Sequence, residues 1–201
     1  GSFNIAEKEE LEEIQFPPTH WVMMGLHGRG NYNSDDFWFT VNSGNYEQKK
    51  KANIEEIKKR VSDYGLYGNI QHLAVKLSWT WWDGTYMIGY YIKKGSDSML
   101  RNFICHSKTF KIYCTVFHVS LLFSIIYSFI RGAFSKRINR EILLKIIFCG
   151  IYFFLVIWES RSRYLVNFTP FFLMIFAGTI RDISNFYSVR FLKNRYVRIR
   201  K

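Results

Sequence analysis

Three apolar runs in the second half of the chain leave few choices for its fold. Phe110 to Ile130 is 21 residues long, and Ile142 to Trp158 and Tyr164 to Ile180 are 17 each. A helix rises about 1.5 Å per residue, so the first run crosses roughly 30 Å of hydrocarbon and the other two reach the short end of the spanning range. The competing reading, three core helices of a soluble protein, fails on polarity, because about half of the chain would have no polar face for water. Lys145 lies one turn inside the second run, where its stem lets the ammonium reach the interface. We therefore expect a mainly α-helical integral membrane protein, with an outer helical and loop segment followed by three transmembrane helices.

The charges sort with those runs. Residues 1–105 hold 12 Lys and Arg against 13 Asp and Glu, whereas residues 106–201 hold 16 against only Glu141, Glu159 and Asp182. The net charge of +12 thus comes from the half that carries the apolar runs. A nucleic-acid binder needs its positive charge on a soluble face; here it flanks apolar segments, so nucleic acid is not an expected partner. Arg131, Lys136, Arg137 and Arg140 separate the first two runs, and Arg181, Arg190, Lys193, Arg195, Arg198, Arg200 and Lys201 follow the third. Basic loops favour the cytoplasm. The expected division is an extracytoplasmic segment over 1–105, a three-span membrane region over 106–181 and a basic cytoplasmic tail over 182–201. The loop from Glu159 to Arg163 then falls on the outer face.

Other features are weaker. Cys105, Cys114 and Cys149 are widely spaced, with no disulfide framework or zinc spacing. The start Gly-Ser-Phe, without Met or a signal-peptide pattern, reads as part of a longer protein or as a Gly-Ser scar. In the outer half, Ala6 to Ile14 reads as a short acidic helix closed by Phe16-Pro17-Pro18. His20 to Thr40 reads as an irregular loop rich in Gly and aromatics. A helix begins at Tyr46, with Ile54, Ile57, Val61 and Tyr64 on one face and Lys50, Lys51, Glu55, Glu56, Lys58 and Lys59 opposite. Gly65 is its natural stop. A second amphipathic stretch, Ile70, Leu73, Leu77 and Thr80, runs into Trp79, Trp81 and Trp82.

The sharpest candidate site is Trp158-Glu159-Ser160-Arg161-Ser162-Arg163-Tyr164, between two apolar runs. Charge beside lipid is costly and is usually retained for a task. Arg161 and Arg163 suit phosphate, because the planar fork makes two parallel charge-assisted hydrogen bonds. If the third span begins early, Glu159 lies one helical turn from Arg163 and orients it. The plainer reading is an ion pair that only shapes the loop.

Two further segments compete with bland readings. Gly25-Leu26-His27-Gly28-Arg29-Gly30 lacks the glycine order and βαβ context of a dinucleotide fingerprint, but it brings backbone close to whatever packs on it. His20, His27, Asp35 and Asp36 lack metal-ligand spacing, so no metal and no cofactor is expected. Trp81, Trp82, Asp83 and Tyr86 form either a membrane-interface belt or a sugar-stacking surface, with Asp83 bonding hydroxyls.

These motifs together resemble a known family. Trp158-Glu159-x-Arg161-x-Arg163-Tyr164, followed six residues later by Pro170, resembles the C-terminal membrane part of bacterial glycosyltransferases of the protein O-mannosyltransferase type, which have the GT-C fold. Phe16-Pro17-Pro18-Thr19-His20-Trp21-Val22-Met23-Met24-Gly25-Leu26 and Trp81-Trp82-Asp83-Gly84-Thr85-Tyr86 are similar to the outer loop before those helices in Gram-positive members. The resemblance implies transfer of a sugar from a polyprenyl-phosphate donor on the outer face, with inversion. It also implies phosphate contacts for Arg161 and Arg163 and an orienting role for Glu159. Members have more spans, and their catalytic acid lies in a first outer loop that this chain lacks. The implied partners are therefore membrane lipid, the lipid-linked sugar, and missing N-terminal spans or a partner subunit. Alone the chain is expected to be inactive. The alternative is a non-catalytic membrane subunit or lipid-phosphate-binding protein.

Overall fold

A computed structural model describes residues 15–93, 98–134 and 142–199, with the side chains of residues 186 and 189–199 outside the description. The acidic helix expected over Ala6–Ile14 and the basic loop residues Lys136, Arg137 and Arg140 lie outside the described residues. Among the described residues the secondary structure is helical throughout, without strands. The chain divides into two compact units. One comprises the residues up to Trp81 together with Ile151–Ser162, and the other Trp82–Gly150 with Arg163 onward.

The first unit holds α1 (Pro18–Gly25), α2 (Ser34–Val41) and α3 (Tyr46–Trp81). The two short helices correct the expectation of an irregular loop over His20–Thr40. Their start signals are local: proline at the first helical position of α1, and the Asn33 side chain accepting from the Asp35 and Asp36 amides at the head of α2. α3 breaks at Gly65 (φ 59°), where a stop was expected, and then resumes.

The packed face of α3 is not the apolar stripe read from its periodicity. Val61, Tyr64 and Ile70 are exposed, while Lys49, Asn53, Lys76 and Thr80 are buried. α1 and α2 offer this face polar groups, so polar residues satisfy it. The Thr40 hydroxyl donates to Asn53 Oδ1 (2.9 Å), and Arg60 forks onto Asp36 (2.6 and 3.0 Å) and also donates to the Met23 carbonyl (2.9 Å).

The second unit contains α4 (Ile88–Ile92), α5 (Met99–His106), α6 (Lys108–Ala133), the first part of α7 (Ile142–Ile157), a 3-10 turn over Ser162–Phe168 and α8 (Thr169–Ile199). Leu121 and Ile125 of α6 and Phe172 and Ile175 of α8 form its core, and Thr179 donates to the Ser124 carbonyl (3.2 Å). Pro170 sits at the head of α8, where a missing N–H costs nothing. The tail over 182–201 begins as a continuation of α8, which stays helical to Ile199.

Lys145 does not snorkel. It is buried, and its ammonium donates to the Ser128 carbonyl in the last turns of α6 (2.7 Å), where the carbonyl ends of a helix favour a cation.

Lys108–Ala133 and Ser162–Asn185 are long and apolar enough to span a membrane, and 28% of each span window is buried. Apolar side chains such as Ile112, Val116, Phe123 and Met174 therefore point outward. An outer surface of that kind suits hydrocarbon rather than water. α7, at 16 residues, is apolar but reaches only about 24 Å.

Candidate functional site

The first unit clamps the end of α7 onto the glycine-rich loop. The Glu159 amide donates to the Trp21 carbonyl (2.9 Å), the Ser160 amide to the Gly30 carbonyl (2.7 Å), and the Tyr32 amide to Glu159 Oε1 (3.2 Å). Backbone and carboxylate together fix the segment. Two glycines permit this. A Cβ at Gly25 would lie 2.8 Å from the Trp158 carbonyl group, and one at Gly30 (φ +76°) would lie 2.6–2.8 Å from the Lys76 methylenes. Trp21 stacks on Trp158, and Arg29 covers the Trp79 ring at 3.8 Å.

Lys76 and Thr80, one turn apart on α3, complete the clamp. Lys76 is 1% exposed, and its ammonium donates to the carbonyls of Gly25 (3.0 Å) and Val156 (2.9 Å). Thr80 Oγ1 lies 2.9 Å from Ser160 Oγ, and both residues are buried. Burial pushes the Lys76 ammonium down to about 8, against the nearby Glu159 charge, which raises it.

Arg161 comes next along the chain. Its Nε is buried without a hydrogen-bond partner. Residues 159–161 are not helical, so the helical turn expected to stack Glu159 with an arginine does not form. The Glu159 carboxylate reaches the Tyr32 amide instead, and so fixes the loop that carries Arg161.

Arg163 belongs to the second unit. Its guanidinium donates to the phenol oxygens of Tyr91 and Tyr164 and lies over both rings. These partners are neutral, so they leave its positive charge uncompensated.

The aromatic run is divided between the units. Trp81 is buried in the first, against Tyr152 (5.9 Å between centroids). In the second unit Trp82 is 68% exposed, and Asp83 accepts from the Thr85 amide and hydroxyl and from the Met87 amide. The Tyr86 hydroxyl meets His118 Nδ1 (2.9 Å) and accepts from Thr169 (3.3 Å). Asp83 and Tyr86 are thus already engaged inside the protein, and Trp82 alone of the four presents an open ring.

No group of three or more His, Cys, Asp or Glu able to hold a metal occurs among the described residues. His20 is buried against Thr40 (2.8 Å), and burial holds its imidazolium down to about 4, against the pull of Asp36. Burial works to raise Asp36, but hydrogen bonds and charge from Arg60 and His27 outweigh it and lower its pKa. Asp35 carries its amide bond to the Asn33 cap.

Sequence reasoning missed Lys76. Its signal was its spacing: Leu73, Lys76 and Thr80 recur at three and four residues and so share a face of α3.

The outward-facing apolar helices of the second unit are those of an integral membrane protein, and the first unit is ordered by buried polar contacts. The chain belongs to the family described as conserved hypothetical integral membrane protein, CHIM_prot, whose model matches residues 9–183. No curated protein and no solved structure matches the chain.

Proposed function

We propose that the chain is the C-terminal portion of a membrane glycosyltransferase of the GT-C type, which takes its sugar from a polyprenyl-phosphate donor at the outer membrane face. The observation that carries this reading is Arg161: its guanidinium Nε is buried without a hydrogen-bond partner, on a segment fixed by buried hydrogen bonds at the end of an apolar helix. A buried guanidinium nitrogen left without a hydrogen bond is costly, and a phosphate oxygen would satisfy it.

In the reaction an acceptor hydroxyl attacks the anomeric carbon, the sugar–oxygen bond to phosphate breaks, and the bond pair passes to the departing phosphate. Arg161 stabilises that developing charge, and it is preorganised because Glu159, Lys76 and the Gly25–Gly30 loop hold its segment. Arg163 is a second phosphate candidate, supported by its neutral tyrosine partners. Trp82 serves as the interface or sugar-stacking ring. The general base comes from missing N-terminal spans or a partner subunit. The proposed topology has three crossings, with residues 1–105 outside and the basic tail in the cytoplasm, supported by the loop charges.

In the full-length enzyme, Arg161→Lys keeps the charge but loses the fork, and turnover per lipid donor should fall roughly ten- to a hundred-fold. Arg163→Lys is measured separately, and Lys59→Gln on α3 should transfer at the parental rate. Parental transfer by a folded Arg161→Lys variant would reject the phosphate role. Binding of the donor without any transfer by the full-length protein would favour the lipid-phosphate-binding alternative. Impermeant thiol labelling of a cysteine-free background should mark Lys50→Cys from outside and Arg137→Cys only after permeabilisation.

A further inference from the structure

The second unit contains a cavity that the proposed transfer does not use. It has a volume of about 350 Å³ and lies where α4 and α5 meet the start of α6. Met87, Ile88 and Ile104 give it apolar residues, and the basic residues Lys93, His106 and Lys111 are also in its lining. Its size falls within the range of small-molecule sites, about 300–1,000 Å³. The walls are tied together: Cys105 Sγ lies 3.6 Å from the Gly89 carbonyl, and Arg101 donates to the Lys93 carbonyl (2.6 Å). Among the described residues no acidic side chain lines the cavity.

Lys111 stands in the first turn of α6, whose following residues Ile112, Tyr113 and Val116 face outward. One turn is about 5 Å, so a bilayer crossed by α6 would put its headgroups near the cavity. Immediately before α6, α5 exposes Met99, Leu100 and Phe103, the side chains by which an amphipathic helix lies in a bilayer surface. A ligand here meets both apolar residues and two lysines.

We propose that this cavity binds the phosphate headgroup of an anionic phospholipid of the surrounding bilayer. Lys93 and Lys111 pair with the phosphate, and Met87, Ile88 and Ile104 pack against the glycerol and upper chain. This site stands on its own observations and survives failure of the glycosyltransferase reading.

The test uses the full chain in phosphatidylcholine vesicles doped with spin-labelled phosphatidylglycerol, and measures the lipid's preference for the protein surface. Phosphatidylglycerol should be preferred over phosphatidylcholine. Each of Lys93→Gln and Lys111→Gln should weaken that preference about fivefold, the effect of one basic residue near a membrane surface. Gly89→Leu adds no charge, and its Cβ meets nothing closer than Cys105 Cα at 3.9 Å, so it fills the cavity and should also weaken binding. Lys59→Gln should leave it unchanged. The proposal is overturned if the double lysine variant retains native preference, if Gly89→Leu has no effect, or if inorganic phosphate displaces the lipid. Circular dichroism of each variant separates lost binding from lost structure.

Discussion

The two units solve opposite packing problems. In the first, the interior is polar: His20, Asp36, Asn53, Lys76, Thr80, Glu159 and Ser160 are buried, beside Met23, Met24, Ile151 and Leu155. In the second, Leu121, Ile125, Phe172 and Ile175 make a small core, and many apolar residues face outward. Hydrocarbon can solvate the outside of the second unit, so its helices need only a narrow shared seam. The first unit meets its buried polar side chains largely with hydrogen bonds from within, and this specifies its geometry; Arg161 Nε is an exception.

That difference predicts where substitution hurts most. Lys76→Ala removes a buried stem and leaves the Val156 carbonyl without its donor, and should cost about 3–5 kcal/mol. Lys76→Met keeps the stem and should cost about 1–3 kcal/mol. Denaturant unfolding in detergent, followed by tryptophan fluorescence, measures both; a loss under 0.5 kcal/mol for Lys76→Ala would break the comparison.

Acid should also strike the first unit. His20 titrates at about 4 when folded and near 6.5 when unfolded, so the unfolded chain binds the extra proton first. The stability it contributes is complete above pH 6.5 and is lost as pH falls through 4, up to about 3 kcal/mol. His20→Gln should flatten the profile in that window. An unchanged profile would show that the neutral imidazole is not a linchpin.

Gly30→Ala comes next in size. It combines a left-handed backbone with a clash on the Lys76 methylenes, and about 1–3 kcal/mol is expected by the same unfolding assay. The smallest effect belongs to Lys59→Ala on the exposed side of α3, within about 0.5 kcal/mol.

The same contrast decides what could be read from the sequence. Apolar runs mark α6, α7 and the start of α8, and in α6 and α8 they are long enough for hydrocarbon, where a helix must be apolar along its length. Gly65 marked the break in α3, since a positive φ favours glycine. α1 and α2, at 8 residues each, are too short to show a period, and only Pro18 and the Asn33 cap announced them. Arg161 and Glu159 stood out because charge at the edge of an apolar run is conspicuous. Lys76 did not, because a lysine on an amphipathic helix looks like one more solvated cation until the carbonyls of Gly25 and Val156 are brought to it by distant chain.

Photo-crosslinking tests the phosphate role most directly. A diazirine-bearing polyprenyl phosphate is incubated with the protein in nanodiscs, and the labelled peptides are mapped. Labelling should concentrate on the peptide holding Trp158 to Tyr164, resist excess phosphatidylglycerol, and fall about tenfold or more with Arg161→Lys. Labelling spread along α6 and α8, displaced by phosphatidylglycerol and indifferent to Arg161→Lys, would contradict it.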